Sequence, residues 1–366
     1  MSQDHPSDLV LPADEEVCVT LRPAEFVLPG HPDKLADAIA DAIVHEASRR
    51  DPRALVGIEV ALHRNAVFID GRIAGQGADE IDVRAITRGV YAQIGYGKVF
   101  TPEPRRLKIK LDLSVGPLLP GEAPFREVSD DQVISVGYAC STPGTDMNPV
   151  EHALAKRLAA ALDALRRKQP KLGLGPDGKV IVLVREEVGA RSLRWSIDQI
   201  TTSIQHVASW NAIAAHAAIR ACLMQHTREL AAVVPGLSVS GDLDLRINPI
   251  GDFIEGGPWG DNGLSGTKLM MDAYGTRVPI GGGATAGKDR WKADVRGPKL
   301  ARRIAVDQVL RHGCRECTVT LAIHPGDRDF RVASVVRGLT PSGLALHQVE
   351  HDRDRPMVAF SRGLGG

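Results

Sequence analysis

The chain of 366 residues has 45 Lys plus Arg and 45 Asp plus Glu, so its formal net charge at pH 7 is zero. This balance lacks the positive field of a non-specific nucleic-acid binder, and we expect no nucleic-acid partner. Hydrophobic residues make up 43% of the chain. No apolar run approaches the ~20 residues that cross a bilayer, which excludes a membrane-spanning protein. The composition predicts a soluble globular protein.

The N-terminus and the cysteines indicate where the protein acts. The polar start, MSQDHPSDLVLPADEE, lacks the pattern of a signal peptide, and we expect residues 1–20 to be a disordered lead-in. Five cysteines, an odd number, fit a reducing compartment, so we expect a cytoplasmic protein. Cys314 and Cys317 form one C-x-x-C without a second ligand pair nearby. We interpret them as strand residues, with a zinc or redox site as the alternative.

Hydrophobic spacing switches repeatedly between the helical and the strand period. Strand pairs followed by helices predict the α+β class, with helices on one face of mixed sheets. The predicted elements are a helix at 35–50, two strands within 54–75 joined by a turn at 63–65, a helix at 81–96, a strand at 107–115, a helix at 151–168, a strand at 179–187, a helix at 211–234, a strand at 241–249, a helix at 298–313, and strands at 317–323 and 330–336.

Two short clusters combine glycine with charge. GHPDK at 30–34 stands where the first predicted helix begins, and a helix N-terminus attracts anions. His31, Asp33 and Lys34 could supply a proton donor, a metal ligand and a phosphate cation there; a simple helix cap is the alternative. GPDGK at 175–179 is by itself a common turn.

Two longer clusters are richer in glycine. GGPWGDNGLSGTK at 256–268 places five glycines around Asp261, which lets backbone amides approach a ligand. GGGATAGKDRWKAD at 281–294 nearly matches a P-loop, but Asp289 stands where a Walker A loop needs a Ser or Thr hydroxyl. Two lysines and a carboxylate after these glycines suit a polyphosphate with Mg²⁺; a solvated basic loop is the alternative.

Five motifs in order resemble those of the S-adenosylmethionine synthetase family: GHPDK at 30–34, DQVISVGYA at 131–139, PDGK at 176–179, INPIGDFIEGGPWGDNGLSGTK at 247–268 and GGGATAGKDRWKAD at 281–294. The resemblance runs from about residue 25 to about residue 323. It implies three similar α+β domains about a pseudo-threefold axis, with strands exchanged between them. We place these domains at 21–130, 131–245 and 246–366. It also implies a homodimer, or a dimer of dimers, with active sites between subunits.

The resemblance implies a reaction in which the sulfur of methionine attacks C5′ of ATP and displaces triphosphate, which is then hydrolysed to phosphate and pyrophosphate. Such a leaving group calls for fixed cations, Mg²⁺ and a proton donor. The implied catalytic residues are His31, as the donor, with Lys179, Lys288 and Lys292; the implied metal ligands are Asp33 and Asp294 for two Mg²⁺ and Glu59 for K⁺. The resemblance also implies that Phe253 and Ile323 lie beside adenine and that Asp261 contacts the methionine amino group. The other implied substrate contacts are Glu25, Lys34, Arg72, Asp131, Asp177, Lys268 and Arg290.

Three departures from the family pattern bear on this expectation. Arg72 stands where the family has a Glu that binds the methionine ammonium, which reverses the sign of the partner charge. Thr267 replaces an arginine on the triphosphate, and Arg290 is a candidate substitute. The loop between Lys110 and Asp131 is shorter than the family's mobile lid, and we expect the family's C-terminal helix to be missing after Gly343.

Three hypotheses therefore remain open from the sequence. The first is adenosyl transfer from ATP to the sulfur of methionine or a close analogue. The second keeps the ATP chemistry but uses another acceptor, or cleaves the triphosphate without one, and Arg72 is its main support. The third is a non-catalytic paralogue that binds nucleotide or pairs with a true synthetase as a regulatory subunit, against which the retained His31 and Asp33 argue.

Overall fold

A computed structural model describes residues 17–189 and 192–338 of the chain, with two short strands at 348–349 and 358–359. Most of the expected lead-in, residues 1–16, lies outside the described residues. Residues 18–20, which were also expected in it, belong to the first strand. The expected loss of the C-terminal helix concerns a part of the chain that lies outside the described residues, apart from the two short strands.

Helices are interspersed with strands and strand pairs along this part of the chain. The helices are α1 Pro32–Arg50, α2 Val83–Ile94, α3 Val150–Lys168, α4 Ala212–Val233, α5 Leu269–Ala273 and α6 Ala293–His312. The strands are β1 Cys18–Val27, β2 Leu55–His63, β3 Ala66–Ala74, β4 Lys108–Gly116, β5 Val133–Cys140, β6 Leu174–Val188, β7 Leu193–His206, β8 Leu237–Ile247, β9 Gly263–Leu264, β10 Glu316–Ile323, β11 Asp329–Gly338, β12 Gln348–Val349 and β13 Val358–Ala359.

The described part of the chain forms three sheets, each covered on one face by one or two helices. In the first, β4, β3, β2 and β9 follow one another, with α1 and α2 over a core that includes Ile39, Ile58 and Ile69. In the second, β1, β6, β7 and β8 pack under α3 and α4. In the third, β12, β11, β10 and β5 pack under α6. The expected α+β class, with three sheet-and-helix units, is confirmed.

The sheets are built from strands that lie far apart in sequence. β1 precedes the first sheet but pairs with β6 in the second, and β5 pairs with β10 in the third. β9 comes from the glycine-rich segment and joins β2 at the edge of the first sheet. Strand pairing therefore links segments that the expected division of the chain keeps apart, while the boundaries at 130 and 245 remain a prediction.

The hydrophobic pattern predicted neither β1 nor β7. β1 is an edge strand, where Pro23 costs no interior hydrogen bond, so its pattern is weak. In β7 a bulge lies between Ile197 and Gln199, and it moves the buried positions from odd to even residue numbers. A strict two-residue period is therefore lost in the middle of the strand.

The last helix begins five residues before the predicted start at Pro298. α6 starts at Ala293, so Asp294 lies in its first turn, and Pro298 is inside the helix. Proline lacks the N–H that would bind the carbonyl of Asp294 but accepts helical backbone angles. The glycine-rich segment 281–294 therefore ends in the first turn of α6.

Burial explains the two cysteines of the C-x-x-C. Cys314 and Cys317 are fully buried in the third core. Burial, with a smaller contribution from Cys314, raises the pKa of the Cys317 thiol to about 12, so the free thiol is protonated at neutral pH. Cys317 is a strand residue as predicted, whereas Cys314 lies two residues before β10 and is not. Among the described residues, no helix has the length and apolarity needed to cross a membrane.

Candidate active site

The GHPDK turn places His31 at the cap of α1. Pro32 opens the helix, and the Asp33 amide donates to Nδ1 of His31 over 3.3 Å. Because Nδ1 accepts, the ring proton is on Nε2. Burial, and then the charge of Lys268, hold the pKa of His31 below its ordinary value, so the ring is neutral at neutral pH. His31 therefore offers an N–H donor from a helix N-terminus.

Three glycine-rich segments meet at this turn: 30–34, 176–179 and 256–268, which together we call the His31 half-site. The Gly30 amide donates to the Pro176 carbonyl over 3.0 Å, and a Cβ on Gly30 would come within 2.5 Å of that carbonyl. Asp177 accepts from the Gly257 amide over 2.7 Å. The predicted clusters are thus brought together by backbone contacts that side chains would block.

Asp33 is held in place by the third of these segments. Its Oδ1 accepts from the Leu264 amide over 2.9 Å, and its Oδ2 pairs with Lys268. Burial acts to raise the pKa of Asp33, but the bonds from Lys268 and the Leu264 amide outweigh it, so that pKa is lowered. Asp33 is therefore ionised at neutral pH, as a magnesium ligand requires.

Further predicted residues line the same half-site. Lys179 pairs with Glu25 over 2.5 Å across β1 and β6, on the sheet face that no helix covers. The charge of Asp261 acts on both His31 and Asp177. Phe253 packs on Gly256. The Phe253 amide donates to Nε2 of His206, and the His206 amide donates to the Phe253 carbonyl, each over 2.9 Å. The predicted residues of this half-site thus include a proton donor, lysines, carboxylates and an aromatic ring.

A second group of predicted residues forms what we call the Lys288 half-site, residues 281–294 with 130–134 and 322–324. Lys288 pairs with Asp294, and Lys292 pairs with Asp130. A Cβ on Gly283 would lie 1.9 Å from Oδ1 of Asp294, so the loop backbone lies directly on that carboxylate. The lysines and the carboxylate that the sequence placed in one loop are therefore adjacent in space.

A cavity opens beside the Lys288 half-site. It has a volume of about 670 Å³, and Asp131, Gly283, Asp294 and Ile323 are among its lining residues. This volume lies within the usual range for small-molecule and cofactor sites. Asp131 and Ile323, predicted to contact the nucleotide, both face this cavity, whereas Phe253 belongs to the other half-site.

One helix connects the two half-sites through a row of carboxylates. Asp33, Asp37 and Asp41 follow at four-residue spacing on α1, and they accept from the amides of Leu264, Gly266 and Gly287 over 2.9, 2.7 and 2.9 Å. The sequence analysis missed Asp37 and Asp41, although their helical spacing from Asp33 was a usable signal. The eight residues from Asp33 to Asp41 separate the two loops by about 12 Å along the helix.

Arg72 is occupied by contacts within the chain. Its Nε and one Nη bind the two carboxylate oxygens of Glu122, each over 2.9 Å. The Nη atoms also donate to the carbonyls of Ser114 and Pro117. The positive charge that replaces the family's glutamate is therefore compensated by a carboxylate from the following loop.

The remaining predicted residues lie at the margins of the two groups. Lys34 pairs with Asp37 and Asp272, each over 2.9 Å. Glu59 is exposed on β2, two residues from Gly57, which bridges to Lys288. Arg290 packs on Trp291 and donates to the Pro52 carbonyl, while the Thr267 hydroxyl donates to Leu264 within its own loop. A phosphate role for Arg290 stays a prediction.

The carboxylates fit Mg²⁺ in a particular way. Among the described residues, no three His, Cys, Asp or Glu side chains form a ready metal cage. Mg²⁺ commonly binds one or two carboxylates and completes its shell with substrate phosphates and water. Asp33 and Asp294, each ion-paired with a lysine beside a glycine-rich backbone, suit that mode.

Comparison with known proteins agrees with the motifs. The chain matches the S-adenosylmethionine synthetase N-terminal domain at 20–112, the central domain at 126–253 and the C-terminal domain at 255–333. It is 33% identical over 320 residues to the S-adenosylmethionine synthase of Trichormus variabilis, covering 82% of this chain and 74% of that protein. The corresponding protein of Chlorobium phaeobacteroides is 31% identical over 319 residues, covering 82% and 76%. The chain therefore belongs to the S-adenosylmethionine synthetase family, a family of transferases.

Proposed function

We propose that this protein transfers the adenosyl group of ATP to the sulfur of methionine, releasing phosphate and pyrophosphate. The observation that carries the proposal is the neutral His31 donor at a helix N-terminus beside the Asp33–Lys268 pair. A scaffold that only binds nucleotide has no need of a donor and an ionised metal carboxylate together. The presence of both groups favours a catalytic protein over a non-catalytic paralogue.

The residues divide the work of displacing triphosphate. Negative charge grows on the oxygen that leaves C5′, and Nε2–H of His31 donates to it. Lys179, Lys268, Lys288 and Lys292 hold the phosphates by their charge. Asp33 and Asp294 would hold the two Mg²⁺, which would supply further charge neutralisation. Glu59, on the open face of β2, is the proposed K⁺ ligand.

The proposed methionine site uses a carboxylate that is not assigned to a metal ion. Asp261 is the proposed partner of the methionine amino group, since it lies near His31 and is exposed. Phe253 and Ile323 are the proposed walls about adenine. Arg72 gives little support to an acidic acceptor, because its donors already bind Glu122 and two carbonyls. Methionine or a close analogue is therefore preferred over an acceptor with an acid in place of the amine.

The active form is proposed to be a homodimer, alone or in a dimer of dimers, with each site shared between subunits. Within one chain the His31 donor belongs to one half-site and the Lys288 and Lys292 cations belong to the other, and the two loops anchored on α1 lie about 12 Å apart along that helix. Glu25 and Lys179 lie on the uncovered face of the second sheet, where Leu21 and Ile181 are also exposed. Apolar side chains on an uncovered face favour burial against a second copy. ATP as the substrate and five free cysteines favour a cytoplasmic location.

The proposal is tested by incubating the purified protein with ATP, Mg²⁺ and K⁺, with and without methionine. Mass spectrometry follows the nucleoside product, and a phosphate assay follows the leaving group. We expect S-adenosylmethionine with phosphate and pyrophosphate, only when methionine is present. ATP turnover that is independent of methionine, or no turnover at all, would overturn the proposal.

A further inference from the structure

The segment between β4 and β5, residues 117–132, lies where the resemblance implies a longer, mobile lid, and we call it the strap. It crosses from the end of the first sheet to the start of the third. Its last residues bind the β10–β11 turn: the Ser129 amide donates to Asp327 over 2.9 Å, and the Gly326 amide donates to Ser129 over 2.8 Å. The strap is therefore held at both ends, by its chain connection to β4 and by these backbone hydrogen bonds to the β10–β11 turn.

A fully buried ion pair joins the middle of the strap to residues 281–292, which we call the phosphate loop. Nη1 of Arg126 donates to Oδ1 of Asp289 over 2.8 Å and to the Ala54 carbonyl over 3.0 Å. Both side chains are 1% exposed. Nε and Nη2 of Arg126 have no acceptor among the described residues, so Asp289 is the carboxylate that Arg126 binds directly. Removing either partner alone leaves a buried charge uncompensated.

Asp289 is also a hub for the backbone on both sides of Lys288. Its carboxylate accepts from the amides of Val56 and Trp291, each over 2.7 Å, and its own amide donates to Val56. It stands in the sequence position where a Walker A loop has its metal-binding hydroxyl. In this chain the Asp289 side chain is buried and fixes the loop. Lys288 and Lys292, before and after it in sequence, form ion pairs with Asp294 and Asp130.

Two further contacts connect the strap to the same place. Glu122 binds Arg72, which is paired in register with Gly57, and Gly57 bridges to Lys288. Asp130, at the far end of the strap, pairs with Lys292. Three charged residues of the strap thus act on the phosphate loop or on the strand beside it.

We propose that Arg126 and Asp289 are a positioning pair that holds the phosphate loop in its binding geometry before any ligand arrives, so that the strap is a fixed support and not a mobile lid. A loop that is ordered in advance avoids the ordering cost when triphosphate binds. Arg126 touches no substrate in this scheme; it acts through Asp289 on Lys288 and Lys292. The inference rests on the proposed function for its kinetic consequence but not for the ordering of the loop.

The test uses the full chain carrying Arg126→Met together with Asp289→Asn. The double change removes both charges, so no unpaired buried charge is left to unfold the protein. The control is Arg157→Met with Glu229→Gln, which removes an ion pair that joins α3 to α4, away from the residues assigned to both half-sites. Hydrogen exchange is measured for peptides covering 281–292, and binding of inorganic triphosphate with Mg²⁺ is measured by calorimetry.

We expect exchange in 281–292 to be at least about tenfold faster in the double variant than in wild type, and the dissociation constant for triphosphate to rise about thirtyfold, with neither changed in the control. In turnover, KM for ATP should rise while KM for methionine stays constant, a split that general destabilisation does not produce. Equal exchange in the double variant and wild type would overturn the positioning pair. A wild type that makes no S-adenosylmethionine would overturn the proposed function instead, and the exchange result would still decide this inference.

Discussion

The two half-sites are held together by different physical means. In the His31 half-site, a helix cap, two paired strands and three close glycine contacts fix the charged groups. In the Lys288 half-site, the lysines follow a glycine-rich loop whose position depends on the Arg126–Asp289 pair and on Asp41 of α1. Helices and strands position side chains through their own backbone geometry, whereas a loop depends on contacts with side chains from other segments. Substitutions in the two half-sites should therefore impair activity in different ways.

The largest effect is expected from removing the metal carboxylate of either half-site. Asp33→Asn and Asp294→Asn should each lower kcat by about a thousandfold, because both the charge and the magnesium ligand are lost. Steady-state turnover at saturating ATP and methionine measures this. Asp79→Asn, which removes an exposed carboxylate on the surface, is the control and should keep full activity. Activity above a tenth of wild type in either site variant would show that the carboxylate is not a metal ligand.

Gly263→Ala tests the backbone construction of the His31 half-site. A Cβ on Gly263 would lie 2.4 Å from the Pro32 carbonyl, and both sides of that contact are backbone. We expect the turn to shift and kcat to fall by about a hundredfold, since misplacement of about 1 Å costs that much. The control is Gly89→Ala on α2, where nothing lies within 4 Å and the change should stabilise the helix slightly. If both variants were equally active, the close contact would be unimportant for positioning.

Asp41→Ala tests how the Lys288 half-site depends on a distant side chain. The variant loses the acceptor for the Gly287 amide, so KM for ATP should rise about tenfold with little change in KM for methionine. Asp41→Asn keeps an acceptor oxygen and should recover most of the loss. Initial rates with each substrate varied in turn give the comparison. Equal rises in both KM values would instead indicate general damage to the fold.

The smallest effect on turnover, but a clear one on stability, is expected from Asp177→Asn. Burial raises the pKa of Asp177 to about 6 from an ordinary value near 4. The protonated form is thus favoured in the folded state, and this contribution to the free energy of unfolding is lost as pH rises from about 4 to about 6. A shift of this size is worth up to about 3 kcal/mol. Urea unfolding at pH 4 and pH 7 should show a smaller decrease for the variant than for wild type.

The sequence predicted the parts of this molecule that depend on local pattern. Helices α1 to α4 follow from apolar spacing, and the glycine-rich motifs identified the segments that meet at each half-site. The bulge in β7 concealed that strand, because it changes the register of burial within a single element. The Arg126–Asp289 pair joins residues 163 positions apart, and nothing in either local pattern indicates a buried partner. Contacts of this kind come from tertiary packing, which one sequence does not reveal.

The shared active site is tested most directly by a mixed dimer. One subunit carries His31→Ala, the other carries Asp294→Asn, each with its own affinity tag, and the mixed species is purified after co-expression. Each variant alone should be inactive. If a site takes the His31 half-site from one subunit and the Lys288 half-site from its partner, the mixed dimer has one site with both changes and one unaltered site. We predict about half the activity of wild type; a mixed dimer as inactive as its parents would contradict a site shared between subunits.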